Sequence, residues 1–252
     1  GCAIAIQEVE NEIYYGLINT QSNDILPPIF QQLDSLGNAL YRFKINERYG
    51  LVSSDGNIVL PNTEYMGKTS EGKIVIMRNQ IWGLFDLETR QIKTISNIDY
   101  LGICKCGLCR INVGGDFNKT SSEIVGGIWG YVDINGEVTI PPKYDRANAF
   151  SEGIAAVEQD GLWGFIDKEE TIIVPIEYEA VEANYIDGVG RLMKNNIIYS
   201  FDIKGNQIDS YEQDNKDDNY GGYNDEPSIY DNPYYDDNLD MDQQSIEFWN
   251  SL

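Results

Sequence analysis

The sequence predicts an all-β fold made of tandem antiparallel repeats about 34 residues long. Three observations carry this. An aromatic-Gly pair returns at Tyr15-Gly16, Tyr49-Gly50, Trp82-Gly83, Trp129-Gly130 and Trp163-Gly164, at spacings of 34, 33, 47 and 34 residues. Each pair opens the same succession of short, alternating stretches separated by Gly-containing turns. No amphipathic helical window competes with them.

Within one unit the elements follow in order. The run around the aromatic-Gly pair alternates large residues, the period of a half-buried strand. A turn follows, as in Asp133-Ile134-Asn135-Gly136, Asp55-Gly56-Asn57 and Asp202-Ile203-Lys204-Gly205. The second strand is short (138–140, 172–174, 58–60), and Pro141, Pro175 and Pro61 are expected to end it because proline donates no ladder hydrogen bond. A Tyr-Asp or Tyr-Glu link leads to a turn at Glu152-Gly153, Asp187-Gly188 or Glu71-Gly72 and then a third strand. Three strands cannot bury their own face, so the units must stack. The expected architecture is an open twisted array of three-stranded units, with a closed propeller-like ring as the alternative. Blades of a ring usually have four strands in about 40 residues.

The expected units run near 1–12 (partial), 13–46, 47–79, 80–126, 127–160, 161–195 and 196–208 (degenerate), together one repeat domain over 1–208. The long spacing holds a polar insertion near 114–126, read as an exposed loop. The last copy has Ile198 and Tyr199 where Trp and Gly are expected, the drift of a terminal, capping repeat. The opening GCAIAI matches the third strand GIAAV at 153–157, so residue 1 is read as falling inside a repeat and any leader is left unread. A lipid-bearing Cys2 is the weaker alternative. The repeated Trp is expected to be a core anchor, and its Gly to allow a neighbouring backbone, or the Trp ring itself, to lie close against the next unit.

These residues resemble the WG-repeat family of bacterial β-repeat proteins. The motif stands as Trp129-Gly130-Tyr131-Val132-Asp133, Pro141, Tyr144-Asp145 and Phe150-Ser151-Glu152-Gly153-Ile154-Ala155-Ala156-Val157. The match is strong over 127–192, fair over 47–113, weak over 1–46 and 196–208, and absent beyond. The resemblance implies an interaction scaffold and no catalytic residues or cofactor. Fold gains from it more than function does.

Charge narrows the function classes. The chain holds 41 acidic and 18 basic residues, net −23, and no histidine. That excludes His-dependent catalysis and His-ligated metal, and argues against nucleic-acid binding, which needs clustered Lys and Arg. No apolar run approaches a membrane span. Residues 1–208 carry net −11, and 209–252 carry net −12. The second segment, rich in Asp, Tyr and Asn and poor in aliphatics, is expected to be a disordered acidic tail. Its apolar end, Ile246, Phe248, Trp249 and Leu252, is a candidate partner-binding segment. The leading expectation is a non-enzymatic scaffold for a protein partner. An acidic, immunity-type inhibitor of a basic partner and a surface glycan binder using exposed aromatics are the alternatives.

Cys104, Cys106 and Cys109 form the one thiol cluster. Laid on the repeat, Cys104 and Cys109 flank a hairpin turn as small buried residues and Cys106 is exposed on it. A metal site would need a fourth ligand and no histidine exists to supply it. Free clustered thiols favour a reducing compartment, the cytoplasm. Asp86, Asp133, Asp167 and Asp202 are read as turn acceptors rather than calcium ligands.

Overall fold

The computed structural model describes residues 2–213. The chain divides into two compact units, residues 1–97 and 98–252, each holding three antiparallel sheets among the described residues. Among the described residues no helix forms, and no sheet closes into a barrel.

The first unit begins with a three-stranded sheet of β1 (Cys2–Val9), β2 (Glu12–Asn19) and β3 (Asp24–Phe30). The second sheet holds β4 (Gln32–Gly37), β5 (Leu40–Ile45), β6 (Arg48–Ser53) and β7 (Ile58–Thr63). The third holds β8 (Tyr65–Ser70), β9 (Lys73–Arg78), β10 (Ile81–Asp86) and β11 (Ile92–Ile95). In the second unit the fourth sheet is β12 (Tyr100–Lys105), β13 (Leu108–Asn118), β14 (Glu123–Asp133) and β15 (Val138–Tyr144). The fifth is β16 (Arg146–Ala147), β17 (Ile154–Gln159), β18 (Leu162–Asp167) and β19 (Ile172–Tyr178). The sixth is β20 (Ala180–Ile186), β21 (Val189–Lys194), β22 (Ile197–Asp202) and β23 (Gln207–Glu212).

Five sheets therefore have four strands, not the expected three. The missed strand is the one after the Tyr-Asp link (β4, β8, β12, β16, β20), which is irregular. Its pairing slips between Met66 and Thr69, between Leu101 and Cys104, and between Val181 and Ala183, which hides the period of two. The sheets are also out of step with the sequence repeat. A segment from one Trp to the next supplies the last two strands of one sheet and the first two of the following sheet. β1 takes the place of the second strand of the other sheets, since Ala5 opposes Gly16 as Val157 opposes Gly164.

Proline does not end the strand it interrupts. In the first, fourth and fifth sheets the last strand inserts extra residues at two places, between Tyr15 and Leu17 and the equivalent Trp129/Tyr131 and Trp163/Phe165, and again one step further on. The second sheet does the same between Tyr49 and Leu51. The bulge lies over the repeat glycine. A Cβ on Gly130 would stand 2.5 Å from the Ile140 carbonyl oxygen and 2.6 Å from Pro142 N, and one on Gly164 would stand 2.7 Å from the Val174 oxygen. The glycine thus admits the bulged backbone of its own sheet, not the next unit or the Trp ring.

Consecutive sheets within a unit share cores. Leu17, Phe30, Leu33, Tyr41, Phe43 and Val52 join the first two sheets, and Leu51, Leu60, Met66, Ile74, Ile76 and Phe85 join the second to the third. In the second unit Tyr131 meets Phe150 edge-on with ring centroids 4.8 Å apart, and Phe165 meets Tyr185 in the same way at 4.8 Å. The hydroxyl of buried Tyr131 donates to the Asn148 carbonyl (2.7 Å) and that of Tyr185 to the Asp202 carbonyl (2.8 Å), which satisfies both phenols in an apolar setting.

Candidate interaction site on the fourth sheet

The repeat motif residues lie in these cores. Trp82 and Trp129 are buried, and Trp163, Tyr15 and Tyr49 are partly buried against the clusters just described. Trp82 and Trp129 are thus core anchors rather than exposed ring platforms. The turn aspartates accept backbone N–H groups. Asp133 Oδ1 takes those of Asn135 (2.8 Å) and Glu137 (2.9 Å), and Asp167 and Asp202 repeat the pattern. Asp86 does the same for Glu88 and Thr89 and also holds the Lys73 ammonium. Hydrogen bonding from Lys73 and from the Thr89 and Glu88 amides lowers its carboxyl to about 2. Among the described residues no group of three or more Cys, Asp or Glu side chains is placed to hold a metal.

The thiol cluster differs from expectation. Cys104 and Cys109 face each other across β12 and β13 with Cα atoms 4.0 Å apart and are joined as a disulfide, both fully buried. The expected placement beside one hairpin turn holds, but the two residues stand directly opposite each other across it, and so they bond rather than pack as thiols. Cys106 is half-buried on the turn with φ +53°, where the equivalent Glu152 has the same value. The thiol argument for a reducing compartment therefore falls away. Residues 209–212, read from composition as the start of the tail, complete β23, and the expected tail from residue 214 onward lies outside the described residues. Ile246, Phe248, Trp249 and Leu252 lie outside the described residues.

One element departs from the repeat. The insertion expected as a loop is the far half of a long hairpin, with β13 and β14 eleven residues each. It is spliced into a two-residue turn. In other sheets the second and third strands meet through left-handed pairs: Glu10-Asn11, Asn46-Glu47, Asn79-Gln80, Asp160-Gly161 and Asn195-Asn196. In the fourth sheet Gly114 (φ +85°) and Gly127 (φ +72°) keep those two conformations, and residues 115–126 run out between them as an arm. The pairing of Val113 with Ile128 and of Gly115 with Gly126 shows that register is kept across this joint.

The preceding link fixes the joint as it does elsewhere. Asp99 accepts the Gly114 N–H (2.7 Å), as Asp145 accepts that of Asp160 (2.7 Å), Glu179 that of Asn195 (3.1 Å), Glu64 those of Asn79 (3.2 Å) and Gln80 (3.1 Å), and Gln31 that of Asn46 (2.9 Å). This recurrent capping by the link residue was not legible in the sequence. A polar residue after Tyr was visible, but its target lies 15 or 16 residues on.

Beneath the arm lies a polar and aromatic cluster. The Phe117 ring leans on Tyr100 (centroids 5.1 Å), and Tyr100 meets Trp129 edge-on at 5.8 Å. The buried Arg110 guanidinium stacks on Trp129 at 5.4 Å and donates to the Ala147 carbonyl (3.0 Å). Asn112, fully buried, donates from Nδ2 to the Gly126 carbonyl (3.1 Å), while its Oδ1 has no hydrogen-bond partner among the described residues. On the outer side Val125 is 74% exposed, more than any other large hydrophobic of the described residues.

The pattern of the WG containing repeat matches residues 15–49, 129–163 and 163–196. The chain is a WG-repeat protein. No curated protein sequence matches this WG-repeat chain. Among solved structures it is similar to one described as a eukaryotic initiation factor (9% identity, 69% of this chain and 52% of that one, TM-score 0.47), so it spans about half that structure's length. It is also similar to lmo1340 of Listeria monocytogenes (11% identity, 84% and 78%, TM-score 0.39) and to apo AztD of Citrobacter koseri (9% identity, 84% and 81%, TM-score 0.38). At these scores the likenesses bear on neither function nor the details of the fold.

Proposed function

We propose that this WG-repeat protein is a non-enzymatic scaffold for protein–protein interaction, and that the hairpin arm of residues 115–126 is a principal contact. The observation that carries the reading is the splice. A repeat array needs only two residues at this turn, yet twelve are inserted between two glycines, and they carry the most exposed apolar side chain of the described residues outward. Insertions in stacked repeats commonly fall on the binding face. An exposed valine on a paired, projecting hairpin presents an ordered apolar contact rather than a mobile loop.

Removing residues 115–126 tests this, because joining Gly114 to Gly127 regenerates the two-residue turn. Affinity capture from an extract of the source cells is compared between the full chain, this deletion and Val125→Asp, with quantitative mass spectrometry. Proteins lost from both variants support the reading; an unchanged set removes the arm from it. The net charge of −23 favours a second reading, an inhibitor of a basic partner. It predicts that capture weakens steeply with salt and on removal of residues 214–252 while the arm deletion leaves it intact.

A further inference from the structure

We propose that the cavity between the second and third sheets binds the carboxylate of a small ligand, seated on the Gly72 N–H and held by Arg90 and Lys73. The site lies wholly within the first unit and is separate from the arm.

The repeat itself shows what belongs there. The first two strands of each four-stranded sheet meet through a left-handed pair: Asn38-Ala39, Glu71-Gly72, Cys106-Gly107, Glu152-Gly153 and Asp187-Gly188. In the second unit a side chain bridges these turns from one sheet to the next. Glu152 of the fifth sheet accepts the Gly188 N–H of the sixth on its carboxylate (2.8 Å). Lys168 of the fifth sheet donates to the Cys106 carbonyl of the fourth (3.4 Å). From the second sheet to the third, Asn38 stands in the place of Glu152, one methylene shorter and uncharged. Gly72, the counterpart of Gly188, gives its carbonyl to the Leu87 N–H (3.0 Å), and its own N–H has no acceptor among the described residues. The seam opens instead into a cavity of about 530 Å³ with Asn38 and Gly72 in its wall, a size that suits a small molecule.

Two basic residues depart from the repeat at the same cavity. Lys73 opens β9 where the other four-stranded sheets have Leu40, Leu108, Ile154 and Val189. Asp86 takes one of the three donors of its ammonium. Arg90 holds the left-handed position of the last turn (φ +59°), which Gly56, Gly136 and Gly205 occupy in the second, fourth and sixth sheets. A residue with a side chain adopts that conformation at a cost. The other non-glycine at this position, Glu170, is engaged by Lys143 and Tyr144 of the preceding sheet, whereas Arg90 makes no ion pair among the described residues.

Charge agrees with one added carboxylate. The equivalent positions of the fifth and sixth sheets, Glu152, Asp187, Asp202 and Lys204, carry net −2 with the bridging carboxylate included. Glu71, Lys73, Asp86, Glu88 and Arg90 at the cavity carry net −1, so a ligand carboxylate makes the two seams equal. Leu40 and Leu87 offer apolar wall to the rest of the ligand.

The test titrates the full chain with N-acetyl-leucine and follows the Gly72 amide by NMR, with the Gly188 amide as internal reference. Gly72 should shift downfield and saturate while Gly188 stays still, and N-acetyl-leucinamide, which lacks the carboxylate, should move neither. Arg90→Gly restores the residue three other sheets carry at this turn, and should raise the half-saturating concentration at least about tenfold. Asn38→Glu supplies the carboxylate from within the chain. It should shift the Gly72 amide downfield without ligand and weaken N-acetyl-leucine binding by about the same factor. A parallel titration with 4-methylpentanoate separates the sources. Binding of N-acetyl-leucine at least about tenfold tighter assigns the site to a peptide C-terminus, and any smaller preference assigns it to free small acids. No saturable shift at Gly72 with either acid, an equal response to the amide, or undiminished binding in Arg90→Gly or Asn38→Glu would each overturn the proposal.

Discussion

The third and sixth sheets differ from the first, second, fourth and fifth in how their last strand ends. The four bulged sheets carry Pro27-Pro28, Pro61, Pro141-Pro142 and Pro175 opposite the repeat glycine, and one residue (Gln31, Glu64, Asp145 or Glu179) then carries the chain into the next sheet. β11 runs straight against β10 with no slip from Trp82/Ile95 to Phe85/Ile92, and four residues follow before β12. β23 is in register with β22 from Ile197/Glu212 to Ser200/Asp209, and its six side chains are exposed. Gly and Pro thus act as one device. The proline turns the strand, the glycine leaves room for the turn, and together they redirect the chain to the next sheet within one residue. Where the device is absent, the chain spends more residues, as at the boundary of the two compact units, or the described array ends.

The largest expected effect tests the device directly. Gly130→Ala drives a Cβ into backbone on the bulged strand and should cost about 3 kcal/mol in urea unfolding. Gly83→Ala in the straight third sheet meets one backbone atom closely, the Lys93 oxygen at 2.9 Å, with the flexible Ile92 side chain at 3.1 Å and Thr94 Cα at an ordinary 3.5 Å, and should cost about half as much. Equal losses would mean that the bulge is not the reason for the glycine.

Next comes the bond across the one-residue crossing. Tyr131→Phe removes the hydroxyl that ties β14 to the Asn148 carbonyl and should cost about 1 to 1.5 kcal/mol. Burial, partly offset by Arg110 and reinforced by Tyr144, pushes the Tyr131 phenol well above its ordinary value. An acid whose folded value is raised is stabilising below its unfolded pKa and loses that stability as pH climbs beyond it. Unfolding free energy should therefore fall above about pH 10, and less steeply in Tyr131→Phe.

The link caps come third. Asp145→Ala should cost about 0.5–1 kcal/mol by leaving the Asp160 N–H without its acceptor, and Asp99→Ala a similar amount, because the cap is independent of link length. A marked difference would tie capping to the short crossing alone. The smallest effect belongs to the third sheet, where Lys73 stands opposite the turn aspartate that faces Leu108 or Ile154 elsewhere. With the Asp86 carboxyl lowered to about 2, its contribution is present above about pH 4 and lost as pH falls toward 2. Lys73→Met should remove part of that acid dependence, on the order of 1 kcal/mol at neutral pH after solvent screening.

The all-β class and the repeat period were readable because a recurring Trp-Gly needs no knowledge of packing. The strand around Trp129 and the turn at Asp133 announce themselves through alternation and Asx chemistry. β20 does not, since its slips at Val181 and Ala183 break the alternation that would mark it. The proline was visible but its effect was misread: a missing N–H is equally compatible with a strand that stops and one that bulges, and only the opposing glycine decides. The candidate site was legible as a place where the spacing lengthens to 47 residues, not as a structure. Phe117 over Tyr100 and Asn112 beneath Gly126 are tertiary contacts of residues with no period between them. The Cys104–Cys109 bond was missed for a different reason: the repeat placed both residues beside one hairpin turn, but they were read as small packed thiols rather than as a directly opposed pair.

The offset between sequence repeat and sheet bears on how such a chain changes length. Excising residues 129–162, one full period, would join the first half of β14 at Ile128 to β18 at Trp163, so that β12, β13, this composite strand and β19 make a complete four-stranded sheet, with Asp99 in front of it as cap and Pro175 behind it as exit. Gain or loss of a period therefore leaves no orphaned half-sheet wherever the crossover falls. A change of repeat number by whole periods thus keeps complete sheets, and each junction draws its cap and exit from residues already present on either side.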